Sequence, residues 1–186
     1  GKMGYAVAAA AVRRGADVTL VSGRTSLPPP LFVNFIPVIS AQDMFEAVTA
    51  DAEVYDIIIK AAAVADYCPE SYADEKVKKK EEDLSIKLKR TSDILKYLGE
   101  HRRKDQFLCG FSMETEYMLE NSRAKLEKKN VDMIAANNLK QKGAGFGTDT
   151  NILTLITKDS VTELPLMDKS LAAKALMDEI LKNFQK

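Results

Sequence analysis

Between Lys60 and Leu95 the chain reads "KAAAVADYCPESYADEKVKKKEEDLSIKLKRTSDIL", an apolar run of small residues that ends in Asp66 and leads into a burst of lysines. Lys76, Lys78, Lys79 and Lys80 fall within seven residues, in "DEKVKKK". Such a run reads equally as a solvated charged loop and as a loop that closes over phosphates. Lysines meet phosphate oxygens as mobile point charges, and a loop can fold over its ligand after binding. "RTSDIL" follows at Arg90–Leu95. Thr91 or Ser92 suits the cap of a helix, and the free amides of a helix start also suit an anion. Further on, Phe111 closes an apolar run, where it serves as core or as a stacking surface. Lys125 and Lys129 stand one helical turn apart on one face. That face is either simply solvated or turned towards a nucleotide phosphate or ribose.

Other chemistries find less support. The chain has one histidine, His101, and two cysteines, Cys68 and Cys109, with no CxxC pair, so neither a zinc site nor a histidine-based triad is expected. Both cysteines read as free thiols of a reducing compartment. Gly143, Gly145 and Gly147 fit neither GxGxxG nor GxxxxGK[ST] and read as a flexible loop. Lys plus Arg and Asp plus Glu both total 27. This balance argues against nucleic acid as partner, while the local density of lysines favours a small anion. No apolar run approaches the roughly 18 residues of a membrane span, and no signal peptide is visible, so a cytoplasmic protein with no membrane partner is expected.

The elements that must position these residues alternate. Strands are predicted at Asp17–Val21, Asp56–Ala62, Gln106–Phe111 and Val131–Ala135, each a short apolar run expected in a buried parallel sheet. Helices are predicted at Ala41–Asp51, Ser92–Arg103 and Glu114–Lys129. The fold class is therefore α/β: a Rossmann-like parallel sheet with helices on both faces. A C-terminal hairpin (Asn151–Ile156 with Val161–Leu166) and a closing helix at Met167–Phe184 follow. Leu84–Lys89, apolar at alternate positions, reads as an exposed strand that projects as an arm. "SLPPPLF" at Ser26–Phe32 is a stiff loop. The chain opens inside a helix with Met3, Val7, Ala10 and Ala11 on one face and Gly15 as its stop. Such a helix normally follows a strand, so residues 1–186 are expected to form a single domain whose N-terminal strand and loop are missing. Ligands bind open parallel sheets at the carboxyl ends of the strands. That brings Ser22-Gly23, Ala62 to Tyr67, Phe111 to Glu114 and Ala136 to Asn138 to one rim.

"GKMGYA", "SLPPP", "AAAVADY", "EKVKK", "TSDIL", "GFSMET", "NVDMIAANN" and "GFGTDTN" occur in this order over nearly the whole chain. In this they resemble phosphopantothenoylcysteine synthetase, the C-terminal half of a bifunctional flavoprotein of coenzyme A biosynthesis in many bacteria and a stand-alone protein elsewhere. The resemblance implies a ligase that joins 4'-phosphopantothenate to L-cysteine through an acyl-cytidylate, using CTP and Mg2+, in a homodimer whose strand arm reaches the partner. It implies that Ala61, Ala62 and Ala63 line the nucleotide and intermediate site through their backbones. Asp66 would stand at the nucleotide, and Lys76 would be the loop lysine needed for turnover, with Ala63 beside it in the catalytic site. Ser92, Asp93, Ile94 and Leu95 would meet the nucleotide at the helix start, and Phe111, Lys125 and Lys129 would complete its site. No metal ligand among the side chains is implied. The chain departs from the family in three places. The asparagine that precedes "SSGKMG" lies upstream of Gly1, Ser92 replaces a common proline, and Asn138 replaces a common aspartate. Without the upstream asparagine, the chain alone is expected not to turn over. The alternatives are an NAD(P)-dependent reductase and a non-catalytic nucleotide-binding module on the same fold. Nothing in the sequence suggests the flavin-dependent decarboxylase half.

Overall fold

A computed structural model of the chain describes residues 1–73, 75–76, 78, 85–114, 116–138 and 148–184. The glycines at 143, 145 and 147 and part of the lysine loop lie outside the described residues, as does Leu84 of the predicted arm strand.

The first helix, α1 (Lys2–Val12), ends as its sequence predicts. Gly15 takes φ +81°, the amide of Ala16 donates to the carbonyl of Ala11 at 3.3 Å, and that of Gly15 donates to Val12 at 2.9 Å. Those two bonds satisfy carbonyls that the helix end leaves open. β1 (Val18–Ser22) follows and pairs in parallel with β2 (Val33–Pro37), a strand not foreseen in the sequence. α2 (Ala41–Thr49) starts with a reciprocal capping box: Ser40 Oγ accepts from the Asp43 amide at 3.0 Å, and Asp43 Oδ2 accepts from the Ser40 amide at 2.9 Å.

The main sheet is mixed. β3 (Ile57–Lys60), β6 (Phe107–Glu114) and β7 (Met133–Asn138) are parallel neighbours, and β9 (Leu153–Thr157) and β10 (Val161–Glu163) continue the sheet antiparallel beyond β7. The expected hairpin is thus part of the main sheet. α1 and α5 (Lys169–Asn183) cover one face, where Cys109, Met133, Ala135, Leu155, Leu176 and Ile180 are almost wholly buried. α3 (Ile94–His101) and α4 (Met118–Lys128) cover the other, over Leu108, Ile134, Ala136 and Ile156. The alternation along β6 and β7 is the two-residue period of a strand buried on both faces. Each fully buried leucine or isoleucine here contributes about 2 kcal/mol.

The helix predicted from Glu114 begins only at Met118. Met113 and Glu114 are instead held extended opposite Asn137 and Asn138. α4 ends as α1 does, with Asn130 at φ +49° in place of glycine and the Val131 amide donating to Leu126 at 3.1 Å. The predicted arm strand is shorter than expected. β5 (Leu88–Arg90) pairs antiparallel with β4 (Tyr67–Pro69) as a separate two-stranded ribbon. A further short pair, β8 (Thr150–Asn151) with β11 (Met167–Asp168), precedes α5. Among the described residues no helix is long and apolar enough to cross a membrane.

β1 and β3 are not hydrogen-bonded to each other. They run in the same direction. Tyr55, just before β3, donates its hydroxyl to Thr19 at the start of β1 at 3.1 Å, and Ser22 and Ala61 stand together at the other end of the cavity between them. That cavity, about 470 Å³, runs along Thr19–Ser22 and Ile57–Lys60 with Met44, Ala47 and Val48 behind it. Gly1, Gly23 and Ala61–Val64, where β1 and β3 finish, also line it.

Candidate functional site

The rim takes its shape where β3 ends. After Lys60 the chain leaves the sheet through Ala61–Ala65, where Ala61, Ala62, Ala63 and Ala65 carry only methyl groups and leave the backbone open, while Val64 packs on the core under α3; Ala62 and Ala63 are exposed. Thr91 ties this stretch to the start of α3. Its amide donates to the Asp66 carbonyl at 3.0 Å and its hydroxyl to the Ala65 carbonyl at 2.6 Å. The segment from Ala61 to Asp66 and the segment from Thr91 to Leu95, far apart in sequence, are therefore one piece of surface.

The cap of α3 is Asp93, not the expected Thr91 or Ser92. Asp93 accepts from the Lys96 amide at 3.0 Å. Thr91 lies two residues before that cap, and its hydroxyl serves the Ala65 carbonyl. Ser92 is exposed, whereas Ile94 and Leu95 are 2% and 9% exposed and belong to the core under α3. Only the backbone of Ile94 and Leu95 is thus left to face a ligand. Asp93 also receives the Lys129 ammonium. Burial pushes the Asp93 carboxyl up, but the hydrogen bonds from Lys129 and the Lys96 amide, with the charges of Lys129 and Lys60, hold it below the ordinary carboxylate value. Lys125 pairs with Glu114 at 2.6 Å, and Asn121 donates to the other Glu114 oxygen at 3.2 Å.

The sequence-predicted residues therefore divide. Ala61 to Ala63, Asp66, Ser92 and Asp93 form a continuous rim, and Lys125 and Lys129 border it through Glu114 and Asp93. Phe111 lies on the opposite face of the sheet, packed against the core beneath α1 and α5. Lys76 is exposed on the segment between β4 and β5. Asn137 is 6% exposed at the end of β7, and its buried Oδ1 has no hydrogen-bond partner among the described residues.

Lys60 is the residue that sequence reasoning missed. It closes the run Ile57-Ile58-Ile59, and alternation along the strand puts it on the face of Ile58, towards α3. Burial is the main cause that lowers its pKa; Asp93 and Asp66 oppose that shift, and Lys129 and Lys125 add to it. A charge that ends an otherwise apolar strand was the available signal.

Among the described residues no group of three or more His, Cys, Asp or Glu side chains is placed to hold a metal ion. Asp66 is a single carboxylate at the rim, and Asp93 and Glu114 are engaged by lysines. Such a donor set fits Mg2+ carried by a polyphosphate, which needs one or two protein carboxylates, rather than a protein cage.

Residues 1–184 match the family model described as the DNA/pantothenate metabolism flavoprotein C-terminal domain. The coenzyme A biosynthesis bifunctional protein CoaBC of Bacillus subtilis is 50% identical over 97% of this chain and 45% of its own length. That of Escherichia coli is 42% identical over 99% of the chain and 46% of its own length. The chain thus spans about half the length of these curated relatives. Among solved structures, the C-terminal domain of a coenzyme A biosynthesis bifunctional protein CoaBC superposes with a TM-score of 0.82 at 44% identity, covering 98% of this chain and 84% of that one. A Cab2 variant in complex with phosphopantothenate-cysteine shares the fold at TM-score 0.79 and 15% identity, over 99% of this chain and 77% of its own. The chain belongs to the DNA/pantothenate metabolism flavoprotein C-terminal domain family.

Proposed function

We propose that this domain is the phosphopantothenate–cysteine ligase of coenzyme A biosynthesis. In this reading it joins 4'-phosphopantothenate to L-cysteine through an acyl-cytidylate formed from CTP. The carboxylate of the acid attacks the α-phosphorus of CTP and pyrophosphate leaves. The cysteine amine then attacks the acyl carbon, releasing CMP and forming the amide. Two anions must meet in the first step. The observation that carries the proposal is the rim itself: a backbone opened by alanines, clamped by Thr91 to a capped helix start, and bordered by Lys60, Lys125 and Lys129. Mg2+ bound to the triphosphate would screen its charge and stabilise the departing pyrophosphate. In this reading Asp66 meets the nucleotide or its ion. The backbone of Ala61–Ala63 lines the nucleotide and intermediate, and the amides that begin at Ile94 suit a phosphate oxygen. Lys76 is assigned to turnover as a residue of a closing loop, and Phe111 to the nucleotide site through the sheet end that it anchors.

The same reading includes a homodimer in a cytoplasmic setting. Tyr67, Tyr72, Ile86 and Leu88, exposed by 51%, 90%, 66% and 59%, give the β4–β5 ribbon an apolar surface suited to a second copy. It also includes a further parallel strand in the cavity between β1 and β3, two strands that are not hydrogen-bonded to each other. In the full-length gene product the amides along those strands are expected to exchange more slowly than in residues 1–186 alone; equal rates would refute the added strand.

The test of the activity uses the full-length gene product with Mg2+, CTP and 4'-phosphopantothenate, with and without cysteine. Pyrophosphate on addition of the acid, and CMP once cysteine is present, are expected. No pyrophosphate with either CTP or ATP would refute the ligase. Binding without turnover would favour a nucleotide-binding module, and NADPH binding a reductase.

A further inference from the structure

Three lysines border the α3 side of the rim, and they are not equivalent. Lys125 is committed to Glu114 and Lys129 to Asp93. Lys60 is partly buried at the end of β3, and its ammonium closes no ion pair or hydrogen bond among the described residues. Its surroundings offset its charge incompletely. Asp93 and Asp66 attract it, but Asp93 already serves Lys129 and the Lys96 amide, and Lys129 and Lys125 repel it. Partly buried lysines are ordinarily paired, because a desolvated cation without a counter-charge is costly. Lys60 also lines the cavity, as do Ala61–Val64 just beyond the end of β3.

We infer that Lys60 is a further substrate-binding cation of this site, whose ammonium contacts the phosphates of the bound nucleotide. The inference rests on the ligase reading above. It assigns the phosphates to the corner between the end of β3 and the start of α3, with the helix amides on one side and Lys60 on the other. Lys125 and Lys129 can supply charge there only by leaving Glu114 and Asp93. Lys60 has no such bond to break, so its attraction for the incoming anion is not reduced by a lost ion pair.

The test compares wild-type, Lys60→Met and Lys60→Arg full-length proteins. Methionine keeps the apolar stem and removes the charge, so the thermal midpoint is expected to stay or rise. The KM for CTP, read by pyrophosphate release, is expected to rise about ten-fold or more, the size of one charge-assisted hydrogen bond. The KM values for 4'-phosphopantothenate and cysteine are expected to stay within about two-fold, and arginine is expected to restore most of the loss. Acetylation at Lys60, followed by mass spectrometry, is expected to be slowed by CTP with Mg2+ and not by cysteine. An unchanged KM for CTP in Lys60→Met, an equal rise for all three substrates, or acetylation that CTP leaves unaltered would overturn the assignment while leaving the ligase intact. A wild-type protein that releases no pyrophosphate would remove the ligase reading itself and this inference with it.

Discussion

Gly99, in the last turn of α3, is expected to set both the stability of the site and its shape. A methyl group added there would lie 1.8 Å from the Lys129 carbonyl oxygen and 2.9 Å from its carbon. Those atoms are backbone, at the left-handed turn that ends α4, and no rotamer change relieves the clash. The contact has to open by roughly 1 Å or more, which for a buried overpacked position costs about 3 kcal/mol. Alanine gains about 1 kcal/mol over glycine in a helix interior, leaving about 2 kcal/mol lost. For a chain of this size that is a fall in midpoint of about 4–8 °C. The same movement would stretch the bond from Asn130 Nδ2 to the Gly99 carbonyl, 2.7 Å long, and displace Lys129 from Asp93. The assay is thermal or urea unfolding of Gly99→Ala beside wild type, followed by titration with CTP, which is expected to bind more weakly. A variant as stable as wild type, or more stable by the helix-propensity gain, would refute the close approach of α3 to residues 129–130.

The two cysteines should separate cleanly. Burial pushes the Cys109 thiol up to about 12, and its side chain is 0% exposed, whereas Cys68 is partly exposed on β4. One thiol per chain is expected to react quickly with a chromogenic disulfide at neutral pH and the other only on unfolding; two equally fast thiols would contradict the placement of Cys109. Asp93 offers a pH test. Its folded carboxyl lies below the ordinary 3.8, so the stability it contributes is present above that value and is lost as pH falls from about 4 through the folded pKa. Asp93→Asn keeps a capping oxygen but loses the charge. Its deficit relative to wild type is expected to be small, since Asp93 is well exposed, and to vanish as the pH falls below the ordinary carboxylate range in urea melts; a deficit that grows with acidity would refute the sign. Asp93→Ala is expected to lose about 1 kcal/mol more at every pH, from the missing cap.

The strands and helices that carry the rim were legible because their signals are local. Ile57-Ile58-Ile59, Phe107–Cys109 and the Met133–Ala136 run are too apolar and too short for anything but buried strands. Gly15 marks a helix end that only a left-handed residue allows. β2 was hidden because its five residues include Asn34 and Pro37 and follow three prolines, so propensity argues for a loop. It is a strand because β1 presents an edge at the matching register, a fact of tertiary pairing.

The charges of the site were less legible than its elements, and for a related reason. Sequence shows which residues carry charge but not how each charge is already matched. Lys125 and Lys129 were visible as a helical pair, yet each is held by a carboxylate from another element, Glu114 at a strand end and Asp93 at a helix cap. Thr91, Ser92 and Asp93 are adjacent and all can cap. Asp93 is the one that accepts from the Lys96 amide, while the Thr91 hydroxyl donates to the Ala65 carbonyl, a contact that only the folded chain brings about. Lys60 looked like the edge of an apolar strand. Its meaning comes from what surrounds it: Asp66, Asp93, which Lys129 and the Lys96 amide already engage, and two cations that repel it. A substrate anion that enters this corner meets one ammonium that does not first have to leave a partner. The order in which the lysines engage should follow from that, Lys60 first, and Lys129 only if Asp93 gives it up.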